Sequence, residues 1–422
     1  VPQIIFVNRF FHPDETATSQ ILGDLAGHLA DNGHQVAVIA SNRIHAAPQR
    51  RLEPQALANG VSIHRLRSTS FASGGSTVGR IIDYVSFYPA AFLRLLGMAR
   101  RGDIIVAKTD PPLISVVGWA AARLRRAKFI NWLQDLYPEV AIELEGGVLR
   151  GPLGQALIQI RNLSLRRADA NVVIGKQMAE RLIKACVDRE RIHVIPNWTN
   201  EAAVQPIEAS QSLSRQHWGI KEPSFVLGYS GNLGRAHEAD TILNAAERLK
   251  HRPDIRFLFI GGGRERERLQ ARVTGRGLDS FMFQPHQPRE KLADSLAAAD
   301  VHWLSLRPEL EGLIVPSKFY GIASAGRPVI AVTSPKGEIA EIVRSADCGM
   351  VVEPGNGEQL AATIVALAED PQLRRKMGRR ARQLIEQLYS RSHAFGRWEN
   401  VLAKASGSAA ALDPTMTSGR SA

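Results

Sequence analysis

The 422-residue sequence has little cysteine, few aromatic residues and no stretch of 18 wholly apolar residues. Its two cysteines, Cys186 and Cys348, are too few for a disulfide framework or a zinc cluster. We expect them to be buried free thiols in a reducing compartment. The lack of long apolar runs argues against a multi-span membrane protein. Hydrophobic residues make up 44% and charged residues 22% of the chain, values typical of a soluble globular protein of two or three domains.

Several common signatures are missing as well. The sequence has no DxD pair and no His and Asp cluster at metal-ligand spacing, so a bound metal is not expected. It contains no G-x-G-x-x-G run and no Walker loop. Zinc-finger, RNP-like and helix-turn-helix patterns are also absent. The opening residues VPQIIFVN lack the basic region of a secretory leader, and we expect a strand there.

Basic residues outnumber acidic residues by 53 to 41, which gives a net charge of +12. The excess is uneven, because residues 1–200 carry 24 basic and 16 acidic side chains. A basic first half suggests an anionic partner such as a membrane surface, a lipid phosphate or nucleic acid. A solvated basic surface with no partner is the alternative.

Short apolar runs alternate with helical patterns along nearly the whole chain. QIIFVN (3–8), QVAVIA (35–40) and DIIVAK (103–108) are typical of strands buried on both faces of a parallel sheet. The alternation stops in a proline-containing segment near residue 196 and restarts at SFVLGYSG (224–231). We therefore predict an α/β protein with two doubly wound, Rossmann-like parallel-sheet domains facing a crevice, where ligands bind at the carboxyl ends of the strands.

The predicted boundaries are 1–198 for the N-terminal domain and 199–386 for the C-terminal domain. Residues 387–404 are predicted to form a helix that returns to the N-terminal domain. The small, polar residues 405–422 are predicted to form a disordered tail.

The stretch 79–101 combines apolar, aromatic and basic residues at helical spacing. Its apolar face is predicted to contain Ile81, Val85, Tyr88, Phe92 and Leu95, with further aromatic surface from Tyr84 and Phe87. A basic amphipathic helix with aromatic residues can lie on a bilayer. A core helix of the first domain, kinked at Pro89, is the alternative.

Glycine turns follow the first two strands of the second half. Gly231 and Gly234 leave room for a phosphate, and Arg235 and His237 add positive charge. The triple glycine 261–263 opens a helix whose N–H groups can reach a ligand. Ordinary turns into solvated helices are the alternative.

The segment ELEGLIVPSKFYGIASAGRPVI (309–330) is the most specific in the chain. Pro316 suits a helix start, and Ser317 and Lys318 on its first turn would suit a diphosphate. Glu311 precedes this turn. A surface lysine is the alternative for Lys318.

In the first half, the loop FFHPDETATS (10–19) leads from the first strand into a helix N-terminus, which favours anions. Helix capping by Thr18 or Ser19 is the alternative. INWLQDLYPE (130–139) places polar groups at another strand end, where a buried, paired aspartate is the alternative.

Taken together, these motifs resemble a known family. The doubled architecture, SGNLGRAHEADTIL, the turn at 261–263 and EGLIVPSKFYGIASAGRPVI resemble family 4 glycosyltransferases of the GT-B fold. NWLQDLYPE and FHPDETATS resemble the WbuB-like subgroup, the L-fucosamine transferases of surface polysaccharide assembly. The resemblance covers about residues 1–404. It implies a retaining transfer from a nucleotide sugar without a bound metal, with the donor mostly on the second domain and the acceptor on the first.

The subgroup further implies a UDP-linked deoxy-amino sugar, such as N-acetyl-L-fucosamine, and a polyprenyl-diphosphate-linked saccharide acceptor in O-antigen, capsule or exopolysaccharide assembly. Such an enzyme would be cytoplasmic and peripherally attached to the anionic inner face of the plasma membrane. The rival interpretations are a GT-B transferase with a soluble acceptor, a sugar-nucleotide epimerase and a basic nucleic-acid-binding protein.

These considerations give three sets of candidate site residues. The catalytic set is Asp135, Glu311 and Lys318. The donor-binding set is Gly231, Asn232, Gly234, Arg235, His237, Gly262, Gly263, Pro316, Ser317 and Lys318. The acceptor-binding set is Thr16, Thr18, Asp110, Gln134 and Glu139. No metal and no cofactor other than the donor substrate is predicted. Lys318, Arg235 and the N–H groups of 231–234 would stabilise the leaving diphosphate, and Glu311 would hold sugar hydroxyls.

The sequence departs from the family pattern at three places. The Arg and Lys of the family's first loop in the second domain are replaced by Asn232 and His237. The second glutamate of the family's E-x7-E motif falls on Phe319 or Gly321, so this motif predicts no carboxylate contact to the ribose. The histidine of the family's His-Asp pair is replaced by Gln134.

Overall fold

The apolar runs of the first half pair into one eight-stranded sheet. The computed structural model describes residues 2–45, 47, 49–69, 71 and 77–407. The elements of the first domain are, in chain order, β1 (Ile4–Val7), α1 (Ala17–Asp31), β2 (Val36–Ser41), β3 (Gln55–Ala58), β4 (Val61–Leu66), α2 (Thr77–Met98), β5 (Ile104–Lys108), α3 (Ile114–Arg125), β6 (Lys128–Leu133), α4 (Glu139–Glu145), α5 (Pro152–Arg167), β7 (Ala170–Val173), α6 (Lys176–Lys184) and β8 (Ile192–Val194). The strand order is β3-β4-β2-β1-β5-β6-β7-β8, with only the β3–β4 pairing antiparallel.

The second half forms a separate six-stranded parallel sheet. Its elements are α7 (Leu213–His217), β9 (Phe225–Ser230), α8 (Asp240–Arg248), β10 (Ile255–Ile260), α9 (Arg264–Gly275), β11 (Phe281–Gln284), α10 (Leu292–Ala297), β12 (Val301–Ser305), α11 (Lys318–Ser324), β13 (Val329–Val332), α12 (Glu338–Ser345), β14 (Gly349–Val352), α13 (Gly357–Glu369), α14 (Pro371–Leu384) and α15 (Arg391–Ser406). The strand order is β11-β10-β9-β12-β13-β14.

Burial on both faces explains why the central strands are continuous apolar runs. Every residue of β1, β2 and β5 is buried, and helices cover both faces of each sheet. The predicted architecture of two doubly wound parallel-sheet domains is confirmed. The sequence analysis missed β3 and β8, the two edge strands of the first sheet. Their residues are half-buried or exposed, so they lack the continuous apolar run that marks the other strands.

Both cysteines are free thiols, as predicted. The prediction that both are buried is right for Cys348 and wrong for Cys186, which is exposed.

The chain returns to the first domain after α14. Helix α15 packs its apolar face, including Phe395 and Trp398, on the first sheet. The rings of Trp398 and Trp132 meet edge to face with centroids 4.6 Å apart. At the start of α15, Arg391 forms an ion pair with Asp24 of α1. The helix extends to Ser406, and residues 408–422 of the predicted tail lie outside the described residues.

The buried row of helix α2 overlaps the predicted apolar face only in part, because Leu95 is buried whereas Ile81 and Val85 are exposed. Phe87, Ala91 and Leu95 are fully buried against the first sheet. The prediction that Phe87 adds exposed aromatic surface is therefore wrong. Among the described residues, one helical segment, Ile81–Met98, is long and apolar enough to cross a membrane, and 22% of it is buried. The outward row of α2 includes the exposed side chains of Ile82 and Leu93.

We predict that Trp398→Ala lowers the free energy of unfolding by about 3–5 kcal/mol, because it empties a buried site between the sheet and α15. Chemical denaturation checks this value. The control is Leu57→Ala, at an exposed position on β3, which should change stability by less than about 1 kcal/mol. Equal stability of the two variants would mean that α15 does not hold the first domain together.

Candidate active site

The carboxyl ends of the strands of both domains open into one crevice. A cavity of about 1480 Å³ lies there, lined by residues of the N-terminal domain and by Gly234, Arg235 and Arg264 of the C-terminal domain. Of the predicted acceptor residues, Thr16, Thr18 and Asp110 line it. The volume exceeds the roughly 300–1000 Å³ of a pocket for one small ligand. The crevice is therefore large enough for two substrates.

The two glycine turns of the C-terminal domain pack directly on each other. Gly261 and Gly263 both have positive φ angles, and a Cβ at Gly261 would lie 2.4 Å from the carbonyl oxygen of Gly231. The N–H of Gly231 donates to Ile260, and the N–H of Leu233 donates to Gly262. These two N–H groups are committed to the protein backbone and are not available to a diphosphate. This corrects the prediction that the whole 231–234 turn offers its N–H groups to the donor.

Lys318 and His237 meet beside the first of these turns. Lys318 Nζ lies 3.0 Å from His237 Nε2, and a Cβ at Gly231 would come within 2.8 Å of the lysine side chain. His237 Nδ1 lies 2.6 Å from the carbonyl oxygen of Ser305. Burial lowers the pKa of His237 to about 3 and that of Lys318 to about 8. The neutral histidine thus donates to Ser305 and accepts from the lysine, which fixes the position of the ammonium group.

Arg235, which was also predicted to bind the donor, reaches across the crevice. Its Nη2 atom donates to the carbonyl oxygen of Leu144 at the end of α4, and its Nη1 atom lies 3.9 Å from Glu145. In this arrangement the guanidinium joins the two domains. Because Arg235 lines the cavity, its charge faces the space that a donor would enter.

The segment that leads into α11 contains Glu311, Pro316 and Ser317, and neither these residues nor Lys318 are among the described residues that line the large cavity. Pro316 is buried and Ser317 is half-buried at the start of the helix that carries Lys318. The Glu311 carboxylate instead accepts a hydrogen bond from Thr333 and packs against Gly337. Burial raises the pKa of Glu311.

Neither position that aligns with the missing family glutamate supplies a carboxylate. Phe319 is fully buried in the hydrophobic core, and Gly321 has no side chain. A smaller cavity of about 280 Å³ in the C-terminal domain instead contains carboxylates from other elements, including Glu238 and Glu265, and borders His237. Gly262 lies close to Asn232, with 3.6 Å between the ideal Cβ position and Asn232 Oδ1.

Two carboxyl groups of the N-terminal domain carry raised pKa values. Burial raises the pKa of both Asp110 and Asp135 to about 6. The charge of Asp110 raises the pKa of Asp135 further, while Lys108 lowers it. Lys108 is fully buried, lies 3.8 Å from the centroid of the Trp132 ring and donates to the carbonyl oxygen of Thr18. This lysine joins the end of β5 to the start of α1.

Of the other predicted acceptor residues, Glu139 has a side-chain partner, whereas Gln134 Nε2 is buried and has no hydrogen-bond partner among the described residues. Glu139 pairs with the buried Arg161. Gln134 is buried, and its backbone N–H donates to Thr109 Oγ1 over 2.8 Å. At the start of α1, neither Thr18 nor Ser19 occupies the N-cap position, which belongs to Thr16.

Asp14 organises the loop before α1. Its carboxylate accepts hydrogen bonds from the N–H groups of Thr16 and His45 over 2.9 and 2.6 Å.

The sequence analysis missed three arginines that line the large cavity, Arg9, Arg43 and Arg264. Arg9 lies two residues beyond the end of β1, so its place near a strand end was the signal that could have identified it.

The comparisons with known proteins agree with this geometry. The family model "Glycosyl transferase 4-like domain" matches residues 16–198, and "Glycosyl transferases group 1" matches residues 210–384. The chain belongs to the GT-B glycosyltransferases of family 4. This membership favours the transferase over the epimerase and nucleic-acid-binding interpretations.

Individual relatives match most of the length of this glycosyltransferase. WcaI of Escherichia coli K12, a candidate colanic acid biosynthesis glycosyl transferase, is 24% identical over 84% of this chain and 89% of its own. A sucrose-phosphate synthase from Thermosynechococcus elongatus has a TM-score of 0.73 at 18% identity, covering 96% of this chain and 97% of its own. Anabaena HepE in complex with UDP and glucose has a TM-score of 0.72 at 18% identity, covering 96% of this chain and 100% of its own. These structures share the fold.

Within the ranges that the structure describes, the glycosyltransferase has no group of three or more His, Cys, Asp or Glu side chains that could hold a metal ion. The positive charges near the crevice come from lysine and arginine side chains. Lys318 is the one that a neutral histidine holds in place.

We predict that the affinity for UDP falls as the pH rises above about 8, because the Lys318 ammonium group, whose pKa is about 8, then loses its proton. Isothermal titration calorimetry between pH 7.5 and 9.5 measures the change. Lys318→Arg keeps its charge over this range and should remove most of the pH dependence. Lys318→Ala should weaken binding at pH 7.5 by roughly 1.5–3 kcal/mol.

The control for these variants is Lys221→Ala, which removes a lysine from an exposed position. It should leave the UDP titration and its pH dependence as in the parent protein. If the parent and Lys318→Arg show the same loss of affinity at high pH, then Lys318 is not the group that binds the diphosphate.

Proposed function

We propose that this glycosyltransferase is a retaining, metal-independent enzyme that transfers a sugar from a UDP-sugar to a polyprenyl-diphosphate-linked saccharide in surface polysaccharide assembly. The observation that carries the donor half of the proposal is the Lys318–His237 pair beside Gly231. The name of WcaI, which refers to colanic acid biosynthesis, supports the pathway class. The bound UDP and glucose in the HepE complex support the donor class.

The leaving diphosphate is the group that this site would stabilise. In the transition state, negative charge grows on the oxygen that links the sugar to the diphosphate. A positioned ammonium group in a water-poor crevice stabilises that charge strongly, because little reorganisation is needed. Lys318 supplies this group, and Arg235 supplies a second charge once the diphosphate replaces Leu144 as its partner. The two cations perform the role that a metal ion plays in other transferases.

The acceptor hydroxyl would approach from the N-terminal domain. Asp110 lines the crevice, and its pKa of about 6 leaves it ionised at neutral pH and able to accept a hydrogen bond. Asp135 and the loop around Thr16 would orient the acceptor. Retention would follow from attack on the same face of the sugar that the leaving group occupied, without a covalent protein intermediate.

The nucleoside would occupy the smaller polar cavity of the C-terminal domain. This cavity borders His237, so a diphosphate at Lys318 would lie next to it. Glu238 and Glu265 would take the place of the missing family glutamate at the ribose hydroxyls. A deoxy-amino sugar such as N-acetyl-L-fucosamine is the specific donor sugar that we propose. Glu311, whose carboxylate accepts a hydrogen bond from Thr333, would hold sugar hydroxyls.

The enzyme would work on the cytoplasmic side of the plasma membrane, attached to its anionic inner face through α2. The outward row of this helix is apolar, and Arg100 and Arg101 are exposed just beyond its end. Each basic residue near anionic lipid contributes about 1 kcal/mol, so a few residues are enough for reversible attachment.

We predict that UDP raises the melting temperature more than GDP or dTDP does, and that both UDP binding and sugar transfer persist in EDTA. A nucleotide at 100 times its dissociation constant should add about 2.7 kcal/mol of stability. A thermal-shift panel of nucleotides, followed by transfer assays with and without EDTA, tests both statements. Transfer that stops in EDTA and returns with manganese would contradict the proposed metal-free mechanism.

We predict that the parent protein floats with vesicles containing phosphatidylglycerol, and that Ile82→Ser with Leu93→Ser reduces the floating fraction several-fold. Both residues belong to the outward row of α2, and neither lines the crevice. Flotation should also weaken with salt, because charges are screened beyond about 8 Å at physiological ionic strength.

The matched control for flotation is Leu57→Ser with Leu213→Ser, which changes two exposed leucines elsewhere on the surface. This variant should float as the parent does. If both double variants float equally, α2 is not the membrane contact, and an enzyme with a soluble acceptor becomes the better interpretation.

A further inference from the structure

Exposed aliphatic side chains from separate elements meet at the mouth of the crevice. Ile81 and Val85 come from α2, while Val148 and Leu153 come from the turn between α4 and α5 and from the start of α5. Val148 is 77% exposed and Leu153 is 51% exposed. Single exposed apolar residues are normal on a protein surface, but a group of them lining one cavity marks a binding surface.

The same cavity holds arginines at the ends of the N-terminal strands. Arg9 follows β1 and forms a buried ion pair with Asp83 of α2, with 3.2 Å between Nη2 and Oδ2. Its Nε atom is buried and has no hydrogen-bond partner among the described residues. Arg43, beyond the end of β2, also lines the cavity. Asp83 holds Arg9 against α2, the helix that also supplies an apolar wall of the cavity. The position of the charged end relative to this wall is therefore fixed.

One class of ligand matches both parts of this cavity. A sugar or another soluble acceptor would leave the aliphatic walls exposed to water. A prenyl chain with a diphosphate head would cover the walls with hydrocarbon and place negative charge at the arginines. Resting on the proposed function, we infer that α2 and the α4–α5 turn form a groove for the first isoprene units of the acceptor, with its diphosphate at Arg9 and Arg43.

Farnesyl diphosphate is a water-soluble probe of this groove. Calorimetric titrations compare it with inorganic diphosphate and with farnesol, each with and without saturating UDP. We expect farnesyl diphosphate to bind at least tenfold more tightly than either fragment, because it alone fills both parts of the groove. UDP should not displace it, since the donor site lies on the other domain.

Surface variants then separate the apolar part from the charged part. Val148→Ser and Leu153→Ser should each lower the affinity for farnesyl diphosphate about fivefold. Both should leave the affinity for UDP unchanged. Leu57→Ser, which changes an exposed leucine of β3 outside the cavity, is the matched control and should bind as the parent does. Arg43→Gln should lower the affinities for farnesyl diphosphate and inorganic diphosphate about tenfold and leave the affinity for farnesol unchanged.

Three results would overturn the groove. Farnesyl diphosphate could bind no better than inorganic diphosphate, UDP could displace it, or the groove variants could bind it as Leu57→Ser does. If the parent protein binds UDP but gives any of these results, the proposed donor chemistry stands and only the groove is contradicted. A parent that binds farnesyl diphosphate as expected but no UDP would instead contradict the proposed function while supporting the groove.

Discussion

The alignment of the two domains across the crevice is the constraint on which the site depends. The N–H of Leu136, just beyond β6, donates to the carbonyl oxygen of Leu313 over 2.9 Å. Glu338, at the start of α12, accepts the N–H groups of Lys176 and Gln177 over 3.0 and 2.9 Å. A carboxylate from one domain therefore caps a helix of the other, where the helix dipole favours negative charge. These contacts place the strand end that carries Asp135 beside the segment that leads to α11.

Removal of water from this junction sets the protonation states of the site. The same burial keeps His237 neutral, lowers the pKa of Lys318 and raises the pKa values of Asp110 and Asp135. The histidine can then hold the lysine by accepting a hydrogen bond instead of repelling it. A diphosphate that bound at Lys318, as we propose, would offset the cost of burying the ammonium group, because opposite charges attract more strongly where water is excluded.

The polarity of the crevice follows from which parts of the fold line it. Strand ends contribute charged side chains, since a parallel sheet opens its carboxyl ends to ligands. Helices contribute apolar side chains at the mouth, where α2 and the α4–α5 turn lie outside the sheet. Helix α2 is apolar on two sides. Its buried row packs on the first sheet, and its outward side exposes apolar side chains. The outward side is the surface that we propose contacts the membrane.

The sequence by itself determined the two-domain parallel architecture, because strands buried on both faces must be continuous apolar runs. It also identified the glycine turns and Lys318, since turns at strand ends carry recognisable residues. It did not identify the edge strands β3 and β8, whose burial is partial. The pairing of Lys318 with His237, the turn of Glu311 towards Thr333 and the cavity shared by Arg9 and Leu153 were decided only by the tertiary structure. These residues are far apart in the chain, and only the packing of separate helices and sheets fixes their distances.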